Sequence, residues 1–549
     1  MRTNCSRFAR FGVILLAAMA FLVVTAAQEA LPENTGWAWG VNSYGQLGIN
    51  STTNSAIPME FGWNATAISA GWFHSLAMTT GGAIWAWGNN QYGQLGNGTN
   101  VDSHIPILLV PSGGLAVSAG GLHSLALASN GVVAACGSNH YGQLGNNTTT
   151  DSNTAVAVLG LTDVTAIAGG GYFSLALKSD GTVWAWGYNA SGQLGNGTFT
   201  DSHVPVKVSG LSNVVAIAAG GSHGMALKSD STLWMWGENN YGQLGNNNTT
   251  DSNVPVTIGY NVTAISAGVM HSMAITVGGG IWTWGFNGQG QLGNGTTVDK
   301  HVPMLILQSG GIAISGGLLN SYYLTSNGTT WATGNNQYGQ LGDGTLHDSL
   351  VPVVVTGITG VNTLAAGVGF VLAMATCPIV TLSPSTLPAA GVGGSYSQHI
   401  TASGGTDPYA FVVSAGSLPG GLTLALDGTL AGTPTTAGNY NFTVIGADHI
   451  VCMGSHAYAM AVNPPPLVAS VGPMASPFRL KVMGGNFGSG IQVFIGGSSS
   501  PYANVAYKSS TKLLLQGGGT LKALFPKGTP VLITLVNTDG GKASYTYTR

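Results

Sequence analysis

The chain has 549 residues, 44% of them hydrophobic and only 6% charged, with 86 glycines and a formal net charge of −3. Such a length exceeds one hydrophobic core and predicts two to four domains, while the abundant Gly, Asn, Thr and Ser point to short strands and tight turns rather than long helices. Sparse Lys and Arg exclude a chain that tracks DNA or RNA along its length, because phosphate neutralisation needs dense positive charge.

The N-terminus, "MRTNCSRFARFGVILLAAMAFLVVTAAQEA", places Arg2, Arg7 and Arg10 before an apolar run from Phe11 to Val24 and small residues at Ala26 and Ala27. This three-part pattern predicts a secretory signal peptide over residues 1–27, with an uncleaved anchor helix as the alternative. No later segment is apolar for long enough to span a bilayer, so the expected location is secreted or cell-surface. Export makes disulfides possible. Cys377 and Cys452 bracket one later segment and are expected to form a bridge worth roughly 4 kcal/mol, whereas Cys136 sits inside a repeat array and is expected to be a buried thiol.

From residue 35 to 376 the sequence repeats itself. The string Y-G-Q-L-G, which reads S-G-Q-L-G and Q-G-Q-L-G in two copies, places glutamines at 46, 94, 143, 193, 243, 291 and 340, at intervals of 48 to 50 residues. A second signal on the same period is W-x-W-G, seen at 37–40, 85–88, 184–187, 234–237 and 282–285, with "AACG" at 134–137 and "WATG" at 331–334. The third is "AGWFHSLAM" at 70–78 and its six later echoes. Each period predicts one small antiparallel sheet that cannot bury both faces alone, and radial stacking of the sheets solves this. The array opens on a W-x-W-G strand that lacks its preceding half and ends on "AGVGFVLAM" without a following W-x-W-G. Joining residues 35–48 to residues 364–376 therefore predicts an all-β, seven-bladed β-propeller closed by its N- and C-terminal strands.

These three motifs resemble the repeats of the regulator of chromosome condensation family in all seven copies. The resemblance implies a seven-bladed propeller. The family includes guanine-nucleotide exchange factors for a small nuclear GTPase, parts of larger signalling chains and secreted inhibitors of other proteins. Here the array holds four lysines, no arginine and twelve carboxylates, and its even spacing leaves no room for a large insertion that could pry at a nucleotide site.

Turn chemistry accounts for Y-G-Q-L-G without catalysis: the glycines take left-handed conformations, the leucine anchors the turn, and the glutamine amide satisfies backbone groups. His74, His123, His223 and His271 suggest a metal ring, but equivalent positions on packed sheets stand about 10 Å apart, too far for shared ligation. Asp102, Asp151, Asp201, Asp251, Asp299 and Asp348 recur once per blade, with Asn54 at the corresponding place in the first copy; an Asx-type turn fits both residue types. One carboxylate per blade does not make a calcium site. No nucleophile elbow, H-E-x-x-H, P-loop or paired C-x-x-C occurs, so neither an enzyme nor a bound cofactor is expected.

The pair of residues before each histidine position varies most. Trp72, Phe73, Leu122, Tyr172, Met270, Leu318 and Leu319 would form an apolar, partly aromatic face if these loops share one end of the ring. Such a face suits binding of a protein or a cell-envelope component. The other reading is that the same residues plug the central channel.

After the array, residues 377–463, with "SLPGGLTL" and "GTPTTAGNYNFTV", resemble the immunoglobulin-like domains of bacterial surface and secreted proteins. This resemblance implies a small β-sandwich used as a spacer or adhesive unit, and a bacterial source. "NPPP" at 463–466 reads as a stiff linker. Residues 467–549, with "GGNFGSG", resemble the immunoglobulin-like fold shared by plexins and transcription factors and predict a second sandwich. Its basic residues, among them Arg479, Lys481, Lys508, Lys512, Lys522 and Lys527, are either a solvated surface or a contact for an anionic polymer. The whole reads as an exported, monomeric, non-enzymatic scaffold, with an enzyme built from blade-tip loops and, by the family resemblance, a guanine-nucleotide exchange factor as the alternatives.

Overall fold

The computed structural model describes residues 34–62, 65–259, 261–376, 378–405, 407–448 and 452–549. The expected signal peptide and Cys377 lie outside them. The chain forms two units, one from Pro32 to Cys377 and one that includes Pro378–Arg549.

The first unit is built from seven four-stranded antiparallel sheets. In the third blade the strands are Val164–Gly169, Phe173–Lys178, Val183–Gly187 and Ser202–Lys207, paired in chain order. A sheet wedged between two others is dry on both faces, which is why the third strand is a nearly continuous apolar run, with Val183, Ala185 and Trp186 all fully buried. That strand must end in glycine: Gly187 has φ 106°, and a Cβ there would lie 2.6 Å from the Tyr172 carbonyl oxygen. The leucine of each Y-G-Q-L-G, such as Leu144 and Leu194, is fully buried and pins the following loop to the blade.

The closing sheet joins the two ends of the array. Asn34–Gly40 lies antiparallel to Phe370–Thr376, pairing Asn34 with Thr376 and Gly40 with Phe370, while Ser55–Glu60 and Val361–Ala366 complete the blade. The innermost strands pack successively around an axis, and the strand of the closing blade packs on Ala65–Ala70 of the first. Closure by paired termini is thus as the end-of-array pattern predicts.

The second unit contains two β-sandwiches. In residues 378–463, Phe411, Leu430, Phe442, Tyr458 and Met460 fill the space between a four-stranded and a three-stranded sheet. In residues 467–549 a four-stranded sheet faces a three-stranded one across Leu480, Val482, Val493, Leu513, Phe525 and Ile533, with one short helix, Gly518–Ala523. Asp539, the single carboxylate of this last module, joins it to the module before: its carbonyl accepts the Gly391 N–H at 2.8 Å and its carboxylate accepts Asn463 Nδ2 at 2.8 Å.

Candidate functional site

The repeated motif builds joints between blades. In blade 3 the Trp186 indole N–H donates to the backbone carbonyl of Gln143, in the preceding blade, at 2.8 Å, and the Ser174 hydroxyl donates to that same oxygen at 2.9 Å. Trp39, Trp87, Trp236 and Trp284 make the equivalent bond to Gln340, Gln46, Gln193 and Gln243. Where "AACG" replaces W-x-W-G, the Cys136 thiol takes the position at 3.5 Å from the Gln94 carbonyl; it is free and buried, as expected, and burial pushes its pKa up to about 12. Cys452 is also buried, and the expected Cys377–Cys452 bridge involves a residue outside those described.

Within each loop the glutamine side chain turns inward. Gln143 Oε1 accepts the Tyr141 N–H at 3.0 Å, and Asn139 accepts the Leu144 N–H while donating to carbonyls across the loop. The once-per-blade aspartate closes that loop from twelve residues away: Asp151 accepts the Asn139 N–H at 2.7 Å, and Asn54 accepts the Asn42 N–H at 2.8 Å. Acceptance without charge is therefore sufficient, as Asn54 suggests, but the device is a long-range clasp and not the local Asx turn expected.

The four histidines are committed to serines one blade ahead. His74 Nε2 lies 2.9 Å from Ser124 Oγ, and because that hydroxyl donates to the Gln94 carbonyl, the imidazole N–H must be the donor. His123–Ser174, His223–Ser272 and His271–Ser321 repeat the pair at 2.8 to 3.0 Å. Where the ring position is Phe173 or Asn320, the next blade has Gly224 or Val371 in place of serine, whereas after Phe370 the next blade keeps Ser75, whose hydroxyl donates to the Gln46 carbonyl at 2.7 Å. Burial holds the imidazoles neutral, lowering the pKa to about 3 at His74 and His223 and to about 4 at His123 and His271. Among the described residues no three His, Cys, Asp or Glu converge as a metal set.

The variable pairs do share one end of the ring. They connect the first and second strands of each blade, and antiparallel pairing puts these loops at the same end as the Y-G-Q-L-G loops between the third and fourth strands. Trp72, Phe73, Leu122, Tyr172, Met270, Leu318 and Leu319 are all half-buried there. Trp72 lies across the mouth of a central channel of about 320 Å³, above Gly121 and Gly171, where any Cβ would come within 2.9 and 3.1 Å of its ring. It also meets Tyr172 edge to face, centroids 5.1 Å apart. Face and plug are thus the same residue.

The aromatic surface is wider than the variable pairs. Tyr172 contacts Tyr141 at 5.5 Å, Tyr141 contacts Tyr188 at 4.6 Å, Phe73 meets Tyr44 at 5.5 Å, and Phe286 meets Tyr241 at 4.8 Å. Tyr44, Tyr141 and Tyr241 belong to Y-G-Q-L-G itself, and Tyr338 of the same motif is exposed. Reading that motif wholly as turn chemistry hid them. The signal was present in Ser191 and Gln289, which stand in the tyrosine position and show that the turn does not need a ring there. Burial and the neighbouring Tyr141 and Tyr92 raise the Tyr172 hydroxyl above its ordinary range.

A family model described as the RCC1-like domain matches residues 105–381, about half of the chain. The chain belongs to this family. Models of the regulator of chromosome condensation repeat match residues 36–78, 81–127 and 65–94 of the RCC1-like ring, and an Ig domain model matches residues 378–463. No curated protein matches the chain in sequence. Among solved structures, human WBSCR16 is 24% identical with a TM-score of 0.57, over 62% of this chain and 99% of its own. Yeast RCC1, Prp20, solved bound to Kap60, is 21% identical with a TM-score of 0.57, over 64% of this chain and 92% of its own. Prp20p from Saccharomyces cerevisiae, whose structure was solved alongside its binding properties to Gsp1p and histones, is 22% identical over 64% of this chain and 94% of its own, again with a TM-score of 0.57.

Proposed function

We propose that this RCC1-like protein is an exported, non-enzymatic scaffold that binds another protein through the aromatic loop face of its propeller. The observation that carries the reading is the unbroken contact Trp72–Tyr172–Tyr141–Tyr188, spread over three blades on loops that the ring holds still. Rigid aromatic side chains supply large contact area at low entropic cost and dominate the energy of protein interfaces. Yeast Prp20, which shares the fold, was solved bound to another protein, Kap60. The small sandwiches act as spacers that carry the ring away from the cell surface, with Cys377 and Cys452 bridged once the chain is outside.

The test is affinity capture from the native surroundings with the full chain, comparing wild type with the variant W72A/F73A. A partner retained by wild type and lost from the variant supports the reading; equal recovery by both overturns it. N-terminal sequencing of the mature protein should begin just after Ala27, and non-reducing peptide mapping should recover Cys377 and Cys452 in one disulfide-linked species.

A further inference from the structure

The two ends of the ring carry different charge. The loops at the aromatic end, from 41–54 in the closing blade to 335–348 in the sixth, hold eight carboxylates, and the single lysine at that end is Lys300, which opens the strand after Asp299. At the other end Lys178, Lys207 and Lys228 stand beside Glu60, Asp163, Asp180 and Asp230. The fold does not require this asymmetry. Each once-per-blade aspartate serves the loop clasp as an acceptor, a task Asn54 performs at 2.8 Å without charge, yet the other six blades all place a carboxylate there. Among the described residues these carboxylates meet one basic side chain, His140, at 3.4 Å from Asp151.

The aromatic contact and the surplus charge coincide at blades 3 and 4. Tyr188 packs on Tyr141 at 4.6 Å, and the residue after it, Asn189, gives its N–H to Asp201 at 2.7 Å. Glu238 holds the position equivalent to Tyr188 in the next blade, and its carboxylate is fixed by Asn240 Nδ2 at 3.0 Å. Both carboxylates act on Tyr188, raising its hydroxyl after burial and Tyr141. A phenol ring attracts a cation to its face, and adjacent carboxylates supply the matching charge. An acidic partner would be repelled here, whereas a basic one is steered in and held in register.

We propose that Tyr141 and Tyr188, with Asp201 and Glu238 beside Tyr188 and Asp251 clasping the Glu238 loop at the Asn239 N–H, receive lysine or arginine side chains from a basic segment of the protein partner. This rests on the reading that the loop face binds a protein.

The test uses the full chain and three synthetic peptides of one length: Lys/Arg-rich, Glu-rich and uncharged. Two charge-matched triple variants separate a site from a general field: D201N/E238Q/D251N at the aromatic end, which keeps the clasp acceptors, and D163N/D180N/D230N at the other. The Lys/Arg-rich peptide should bind at low salt, weaken at least tenfold for the first triple and for Y141A/Y188A, and change less than twofold for the second triple. Binding that falls equally for both triples, or that ignores Y141A/Y188A, overturns the proposal, because it then reflects net charge alone. Salt-reversible self-association of the chain without peptide, read by sedimentation, also overturns it in favour of a second copy, whose last module is basic. A native partner that W72A/F73A loses but D201N/E238Q/D251N retains would sink this inference and leave the protein-binding reading standing.

Discussion

Inside the ring and on its loop face the same repeat obeys different rules. At the joints between blades, five tryptophans donate to five glutamine carbonyls in the preceding blade. At the position equivalent to Tyr188, Asn89, Ser138 and Asn335 are buried and accept the side-chain amides of Gln94, Gln143 and Gln340, whereas Val41, Glu238 and Phe286 are only half-buried and share no chemistry. A joint must fit its neighbour, so even its two replacements, the Cys136 thiol and the Thr333 hydroxyl, reach a carbonyl of the preceding blade, that of Gln94 and that of Gly290. A loop tip that meets solvent is free to differ, and specificity can reside there without loosening the ring.

The sharpest way to break that comparison is to damage one joint. Trp186→Ala should cost about 4 kcal/mol or more, since it opens a cavity in a fully buried site and leaves the Gln143 carbonyl with one donor fewer; denaturant unfolding of the full chain measures it. Trp184, its neighbour in the same motif, is half-buried: it donates to Thr182 at 3.3 Å and packs on the edge of the core that holds Trp186, so Trp184→Ala should cost less, about 2 kcal/mol.

Acid should act on the joints before it acts on the face. The folded ring keeps His74, His123, His223 and His271 neutral, with pKa values near 3 to 4, while an unfolded chain binds those protons near the ordinary value of 6.5. The unfolded state therefore holds more protons between these limits, so this contribution is fully present above about pH 6.5 and is lost as pH falls toward 4. Melting temperature followed from pH 7 to pH 4 should drop, and the double variant H123F/H223F, which uses the side chain found at Phe173 and Phe370, should flatten that drop. A slope unchanged by the variant would mean that the imidazoles do not set it.

The smallest effect on stability is expected at the face. Tyr44→Ala or Tyr338→Ala removes a ring that is 38% or 50% exposed, and each should shift stability by no more than about 0.5 kcal/mol. A larger loss would show that the face is part of the joint system and erase the distinction.

Much of the ring was legible because its period is rigid: the number of blades and their closure follow from the glutamine spacing and from the half-repeats at each end. Contacts that run from one repeat to the next were hidden, since a motif read by itself does not show its neighbour. The Gln143 carbonyl is invisible in a list of side chains, and the role of His74 becomes clear only beside Ser124, one repeat later. The clasp from Asp151 to Asn139 spans twelve residues, so short-range turn rules missed its form while recognising its chemistry. At the face, Trp72 was found because its position varies, and Tyr141 was passed over because its position recurs.

The claim that joints make the platform while the loop face selects is tested most directly by one paired measurement: partner capture and melting temperature on the same preparation of W72A/F73A. Capture should be lost while the melting temperature stays within a few degrees of wild type. Full capture by a variant that still melts with wild type would contradict that claim.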